Sequence, residues 1–212
     1  HKRGYRQTSL LAPIKETLAA GIVDFTRLYD DSVICDPFCG SGTLLIEAVL
    51  KGMNIAPGIN RRFAAEKWGC VPAFVWKEAR REALESIKRD AKIRAYGYDI
   101  DPQAVELTMA NAKKAGVAAH IRTKIQDISQ FSIPPGRAIV ICNPPYGERL
   151  LEIKEAERLY RIMGDVFPAD PDKKYYIISP HEEFEHLFGR TSDRRRKLYN
   201  GMIKCQLLMY FR

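Results

Sequence analysis

The sequence predicts an α/β fold: a doubly wound, mostly parallel sheet of seven strands that ends in an antiparallel hairpin. Three observations carry that expectation. Strand-like and helix-like runs alternate from residue 32 onward, the arrangement that covers both faces of a parallel sheet with helices. The run Ala138–Cys142 (AIVIC) is apolar at every position, as a strand buried on both faces must be. Near the C-terminal end, Asn200–Gly201 separates two β-rich runs, and Asn-Gly in that setting is a strong hairpin signal.

Taken in order, residues 1–30 are expected to form an N-terminal segment with a helix from Pro13 to Ala20. The first strand falls over Ser32–Asp36, and the apolar spacing of Leu44–Met53 makes the next helix. Ala95–Ile100 reads as the second strand. The helix after it, Pro102–Lys114, opens on a proline whose missing N–H costs little in a first turn, and it stops before Gly116. The third strand is expected over Ile121–Gln126 and the fourth over Ala138–Cys142. Leu150–Val166 is helical, with Leu151, Ala156, Leu159, Ile162, Met163 and Val166 on one face. Lys174–Ser179 is the fifth strand, Glu182–Phe188 a short helix, and Arg196–Tyr199 with Ile203–Phe211 the closing hairpin. Residues 54–94 are an insertion that carries Arg61, Arg62, Trp68, Trp76 and a long charged helix over Phe74–Arg94. Two readings of it stay open: extra packing anchored by the two tryptophans, or a substrate-side lid, since long insertions are often functional.

Composition narrows the class. With 212 residues, 46% hydrophobic and 28% charged, the chain has the makeup of one large globular domain, not of a disordered or collagen-like one. No apolar run approaches the roughly 18 residues of a membrane helix, and no signal peptide opens the chain. It starts on His1, as a piece cut from a longer protein would. The 34 Lys and Arg against 26 Asp and Glu leave +8, compatible with a polyanionic partner. Basic clusters stand at Lys2–Arg3–Arg6, Arg61–Arg62, Arg80–Arg81 and Arg190–Arg194–Arg195–Arg196–Lys197, though such runs are also common on solvated faces. Of the five cysteines, Cys35, Cys142 and Cys205 lie in strand-like runs as small buried hydrophobes, and neither they nor Cys39 and Cys70 form a CxxC pair. No metal site is expected, and the cysteine usage fits a reducing, cytoplasmic setting.

Ligands of an open parallel sheet bind beyond the carboxyl ends of its strands, where the strand order reverses. Three features fall there. Asp36-Pro37-Phe38-Cys39-Gly40-Ser41-Gly42-Thr43 follows the first strand, with glycines that permit a sharp turn and close approach to a ligand. The helix behind it favours a carboxylate or phosphate at its free N–H groups. No Lys follows Gly42, so this is no P-loop, and the third glycine of the dinucleotide fingerprint is missing. Asp99, at the end of the second strand, can accept two hydrogen bonds from a ribose diol, while Asp101 caps the helix that starts at Pro102. Asn143-Pro144-Pro145-Tyr146 follows the fourth strand. Its prolines fix an extended chain, so the Asn143 side-chain oxygen and the Pro144 carbonyl can converge on one NH₂ group, with Tyr146 as a flat face for stacking.

DPFCGSGT, YDID and NPPY in that order resemble the class I S-adenosylmethionine-dependent amino-group methyltransferases, with their Rossmann-like sheet. More specifically, HKRGYR, APIKETLAA, DPFCGSGTLLIEA, NPPYGERL and KLYNG are similar to the THUMP-associated RNA methylases, a family that includes bacterial guanine-N2 methyltransferases of large-subunit ribosomal RNA. The resemblance spans almost the whole chain. It implies a class I methyltransferase domain over residues 31–212, with residues 1–30 closing over the cofactor through the helix that holds Lys15 and Glu16. Asp36, Pro37, Phe38, Cys39, Gly40, Ser41, Gly42 and Thr43 would surround the methionine part of S-adenosylmethionine. Asp99 would hold the ribose hydroxyls with Ile100 against the adenine. Asp127 would bind the adenine amino group beside Ile128. Asn143, Pro144, Pro145 and Tyr146 would hold the target base, Asn143 also touching the cofactor. The implied partner is RNA, most directly rRNA. Members of the family usually carry an RNA-binding THUMP domain ahead of this region; none stands in these 212 residues, so the expectation is either an excised catalytic domain whose full-length protein holds a THUMP domain, or RNA docking done elsewhere.

Transfer from an activated sulfonium needs alignment more than an acid–base dyad, and alignment can contribute on the order of 7–11 kcal/mol. His120, His181 and His186 are therefore expected at the surface or in packing. Adenine N6, guanine N2 of tRNA, or a glutamine amide would present a similar planar amine. A nucleic-acid-binding module without catalysis is the competitor from another class, and intact cofactor glycines with an intact NPPY argue against it.

Overall fold

A computed structural model describes residues 3–6, 14–147 and 150–211. Pro13, the expected first residue of the N-terminal helix, and Lys2 of the first basic cluster lie outside them. Helix α1 spans Glu16–Asp24 and strand β1 Val33–Asp36, followed by α2 (Thr43–Gly52), α3 (Ala73–Glu85), β2 (Arg94–Asp99) and α4 (Pro102–Lys114). Then come β3 (Ile121–Ile125), β4 (Ala138–Cys142), α5 (Leu150–Val166), β5 (Lys173–Ser179), α6 (Phe184–Phe188), β6 (Arg194–Asn200) and β7 (Ile203–Tyr210).

The sheet has seven strands in the order β3-β2-β1-β4-β5-β7-β6. Strands β1 to β5 run parallel, β7 lies antiparallel to β5, and β6 antiparallel to β7. The order reverses between β1 and β4, so the loops after these two strands open towards each other at the carboxyl edge. All four residues of β1 and all five of β4 are buried, as central strands covered on both sides are; β4 is apolar throughout, and β1 is apolar up to its last residue, Asp36. One apolar layer joins α1, α2 and the sheet through Ile22, Leu45, Ile46, Val49, Ile141 and Ile178. The opposite layer packs Tyr160 and Met163 of α5, and Phe167 just beyond it, against Val140, Tyr175 and Ile177. Among the described residues no helix is long and apolar enough to cross a membrane.

Three expectations need correction. The charged helix of the insertion ends at Glu85, not Arg94. Ser86 turns its hydroxyl back to the Glu82 carbonyl at 2.8 Å, and Lys88 N–H reaches the Met53 carbonyl at 2.8 Å, which carries Ala91 and Ile93 into the core ahead of β2. The tryptophans do not anchor the insertion on the domain. Trp68 is 61% exposed, no residue of α3 is buried, and Trp76 stacks instead on Phe63 within the insertion, centroids 6.0 Å apart. Finally, the hairpin turn lies one residue later than Asn-Gly suggests. Asn200 pairs with Ile203, so Gly201 and Met202 form the two-residue loop, with Gly201 at φ +65°. A glycine at the first central position suits a type II′ hairpin turn.

Candidate functional site

A cleft of about 410 Å³ opens at the carboxyl edge, within the roughly 300–1,000 Å³ typical of small-molecule sites. Its walls include Asp36–Ser41, Thr43, Asp99, Ile100, Asp127, Ile128 and Asn143–Tyr146, so the loops after β1, β2, β3 and β4 all contribute. Of the expected site residues, only Gly42 is absent from the wall. It is the N-cap of α2 at φ +75°, and a Cβ there would stand 2.7 Å from the Thr108 side chain, so glycine lets the loop close onto α4. Ile14 reaches the cleft from ahead of α1. Lys15 and Glu16 do not line it. Glu16 is buried and ion-paired to Arg6 at 3.2 Å, which ties Arg6 to the start of α1. No residue of the insertion lines the cleft.

The loop after β1 is held from behind by side chains that motif reading overlooked. Thr108 donates its hydroxyl to the Gly40 carbonyl at 2.9 Å, and the Asn111 amide donates to the Ser41 carbonyl at 2.9 Å. Both sit with Ala104 and Ala112 on the buried stripe of α4, and polar residues in an apolar stripe were the available signal. Asp99 accepts the Gly40 N–H on one carboxylate oxygen and the Asp101 N–H on the other, each at 3.0 Å. These bonds lock the carboxylate against the loop, and each oxygen retains a lone pair for a ribose hydroxyl. Asp101 caps α4 by accepting from Gln103 N–H at 2.9 Å, as expected.

Asp127 accepts from the Ser129 hydroxyl at 2.6 Å and the Ser129 N–H at 2.8 Å, both on Oδ1, and these bonds hold its carboxyl below the usual range. Ile100, 68% exposed, and Ile128 are apolar ledges on the same cleft wall. Asp36 is different. It is buried, accepts only the Phe38 N–H at 3.0 Å, and burial pushes its carboxyl up to about 8, with the nearby Asp99 charge adding to the rise. A buried acid of this kind on a cleft wall is suited to a ligand carrying a positive charge.

The Asn143–Tyr146 loop is fixed from two sides. Tyr160, buried on α5, donates its hydroxyl to the Pro145 carbonyl at 2.9 Å. The Tyr146 hydroxyl donates to Asn143 Oδ1 and accepts from Asn200 Nδ2 at 3.4 Å, with Cys205 Sγ 3.7 Å away. Its ring is therefore tethered at the hydroxyl, not held by stacking alone. The Pro144 carbonyl meets no donor among the described residues. Tyr160, Asn200 and Cys205 were missed by motif reading, Asn200 because it was assigned to the turn. His120, His181 and His186 lie outside the cleft.

A sequence model of the RMKL-like methyltransferase domain matches residues 3–209 of the chain. The chain belongs to this family. It is 41% identical over 211 residues to the "Putative RNA methyltransferase YpsC" of Bacillus subtilis, covering 100% of this chain and 55% of that protein. It is 39% identical over 217 residues to the "Ribosomal RNA large subunit methyltransferase K/L" of Shewanella baltica, covering 99% of this chain and 30% of that protein. A crystal structure described as "SMU.472, a putative methyltransferase complexed with SAH" superposes with a TM-score of 0.93 at 40% identity, covering 99% of this chain and 55% of that one. This RMKL-like domain thus spans about half or less of the relatives it matches. Its fold is that of the class I methyltransferases, and its cofactor is S-adenosylmethionine. The cleft fits that molecule in kind: a locked carboxylate for a diol, apolar ledges for a ring, and a buried acid for an ammonium group.

Proposed function

We propose that this domain catalyses methyl transfer to the exocyclic amine of an RNA base, with guanine N2 of ribosomal RNA as the target. The observation that supports the reading is that Asn143 and Pro144 line the same cleft as residues of the Asp36–Thr43 loop. When bound, the cofactor supplies a methyl group already activated by the sulfonium. Asp36 and the loop hold its methionine end, Asp99 its ribose, and Asp127 with Ile100 and Ile128 its adenine. Asn143 and Pro144 would accept hydrogen bonds from the target amine and orient its lone pair for transfer. They favour the pyramidal nitrogen on which positive charge develops, so their contribution is largest in the transition state. A base in a duplex cannot reach this cleft, so the target is unpaired or flipped out. The names of the two relatives and the +8 charge support RNA as the substrate.

Nucleoside mass spectrometry of rRNA incubated with the protein and methyl-labelled cofactor tests the proposal. N2-methylguanosine is the expected product, and N6-methyladenosine would move the activity to the other ring amine. Tight cofactor binding with no labelled nucleoside would favour a binding module. Asn143→Ala should slow single-turnover transfer by about 10²–10³, as loss of one oxyanion-hole group does, while cofactor affinity stays within twofold or so. Transfer at the unmutated rate would remove Asn143 from the reaction.

A further inference from the structure

The hairpin turn displaced by one residue has a chemical result. With Gly201 and Met202 in the loop, Asn200 remains a strand residue, and its buried side chain reaches the Tyr146 hydroxyl. The carboxamide nitrogen can only donate there, so it occupies a lone pair of the tyrosine oxygen. The tyrosine proton is then directed to Asn143, and the Asn143 carboxamide presents its oxygen, not its NH₂, to that proton. Cys205 cannot set this direction alone, because its single S–H proton is shared between the tyrosine oxygen and the Ile203 carbonyl, each 3.7 Å away. We infer that Asn200 is a positioning residue for the transfer step: acting through Tyr146, it fixes which end of the Asn143 carboxamide faces the target amine. The inference rests on the reading of Asn143 as the acceptor of that amine. A flipped Asn143 would set two donors against each other and lose the bond that grows in the transition state.

Polarity, more than shape, is the point of the arrangement, and this makes it testable. Asn200→Asp keeps the shape but replaces the donor by an acceptor. The tyrosine proton would then turn to residue 200, and Asn143 would be free to present its NH₂. Asn200→Ala and Tyr146→Phe should each slow single-turnover methyl transfer by about tenfold, the scale of one hydrogen bond, with cofactor affinity unchanged. Asn200→Asp should fall at least as far as Asn200→Ala. In the Tyr146→Phe background, Asn200→Ala should cost nothing further, since the two act in series. A packing role would reverse the order, with Asp tolerated better than Ala and a penalty that persists without the tyrosine hydroxyl; either result overturns the inference. If melting curves show that the Asn200 variants do not fold, an unmutated rate in Tyr146→Phe overturns it as well. Asn143→Ala run in parallel separates the two failures. An unslowed Asn143→Ala defeats the catalytic reading, whereas a slowed Asn143→Ala beside full-rate Asn200 variants defeats only the relay.

Discussion

Asp36 ends a strand whose every side chain is buried, and its single hydrogen bond from Phe38 N–H does not offset the cost of burying its charge. The carboxyl titrates near 8 in the folded chain, against about 3.9 for an unperturbed aspartate. Between those values the folded state holds a proton that the unfolded state has released, so stability is fully present below about pH 4 and is lost as pH rises through 8. For one group the slope is at most about 1.4 kcal/mol per pH unit. Asp36→Asn removes it. Melting temperatures followed from pH 5 to 9 should fall in the parent and fall less in Asp36→Asn, and parallel curves would show that Asp36 is already ionised. On the proposed reading, the ammonium end of the cofactor compensates the ionised form, so cofactor affinity should weaken as pH drops below 8. The acidic residue at this position was legible from its motif, whereas its titration was not, because that depends on tertiary burial. Asn200 illustrates the other gap: Asn-Gly marks a hairpin reliably, but a shift of one residue decides whether Asn is a turn residue or a site residue.

Strand β6 separates side chains that look equivalent in a run of arginines. Successive strand residues point to opposite faces, so Arg194 and Arg196 share a face with Leu198 and Asn200, while Arg195 turns away and pairs with Glu185. Arg190 is committed elsewhere, over the rings of Tyr175, Phe188 and Tyr210. Arg194 and Arg196 carry no ion pair among the described residues, and four residues of strand set Arg196 about 13 Å from Asn200, whose side chain touches the cleft residue Tyr146. Neutralising these two together should reduce the salt dependence of RNA binding by about 0.7 for each phosphate they engage, the single-strand value. Arg195→Gln should leave the slope nearly unchanged, and equal effects from all three would mean that strand alternation does not sort them. Helix α3 shows what periodicity leaves out. Its pattern specifies a helix, but Phe74 is 71% exposed and Leu84 47%, because an apolar stripe does not name the surface that covers it.

Across the whole molecule, alternation and the apolar central strands made the parallel sheet legible, and the right-handedness of parallel crossovers left few topologies to choose from. The loops of the site were legible for the same reason, since ligands gather at the carboxyl edge beside the strand-order reversal. The layer behind them, Thr108, Asn111 and Tyr160, was not. These residues act through contacts that only the packed helices create. The topology also leaves two strands with one unpaired side each, β3 and β6. Both carry basic residues, Arg122 and Lys124 on β3 and Arg194–Lys197 on β6. An exposed strand border is a template for a further strand from another molecule, and positive charge is a common guard against that. Charge removal on β6 should therefore carry a second cost besides weaker RNA binding. Light scattering of the Arg194→Gln, Arg196→Gln protein should show self-association at concentrations where the parent stays dispersed, and equal scattering would mean that bulk charge, not the border itself, keeps the molecules apart. Self-association of the variant would show that the arginines of this docking stripe are also what stops one sheet from growing into the next.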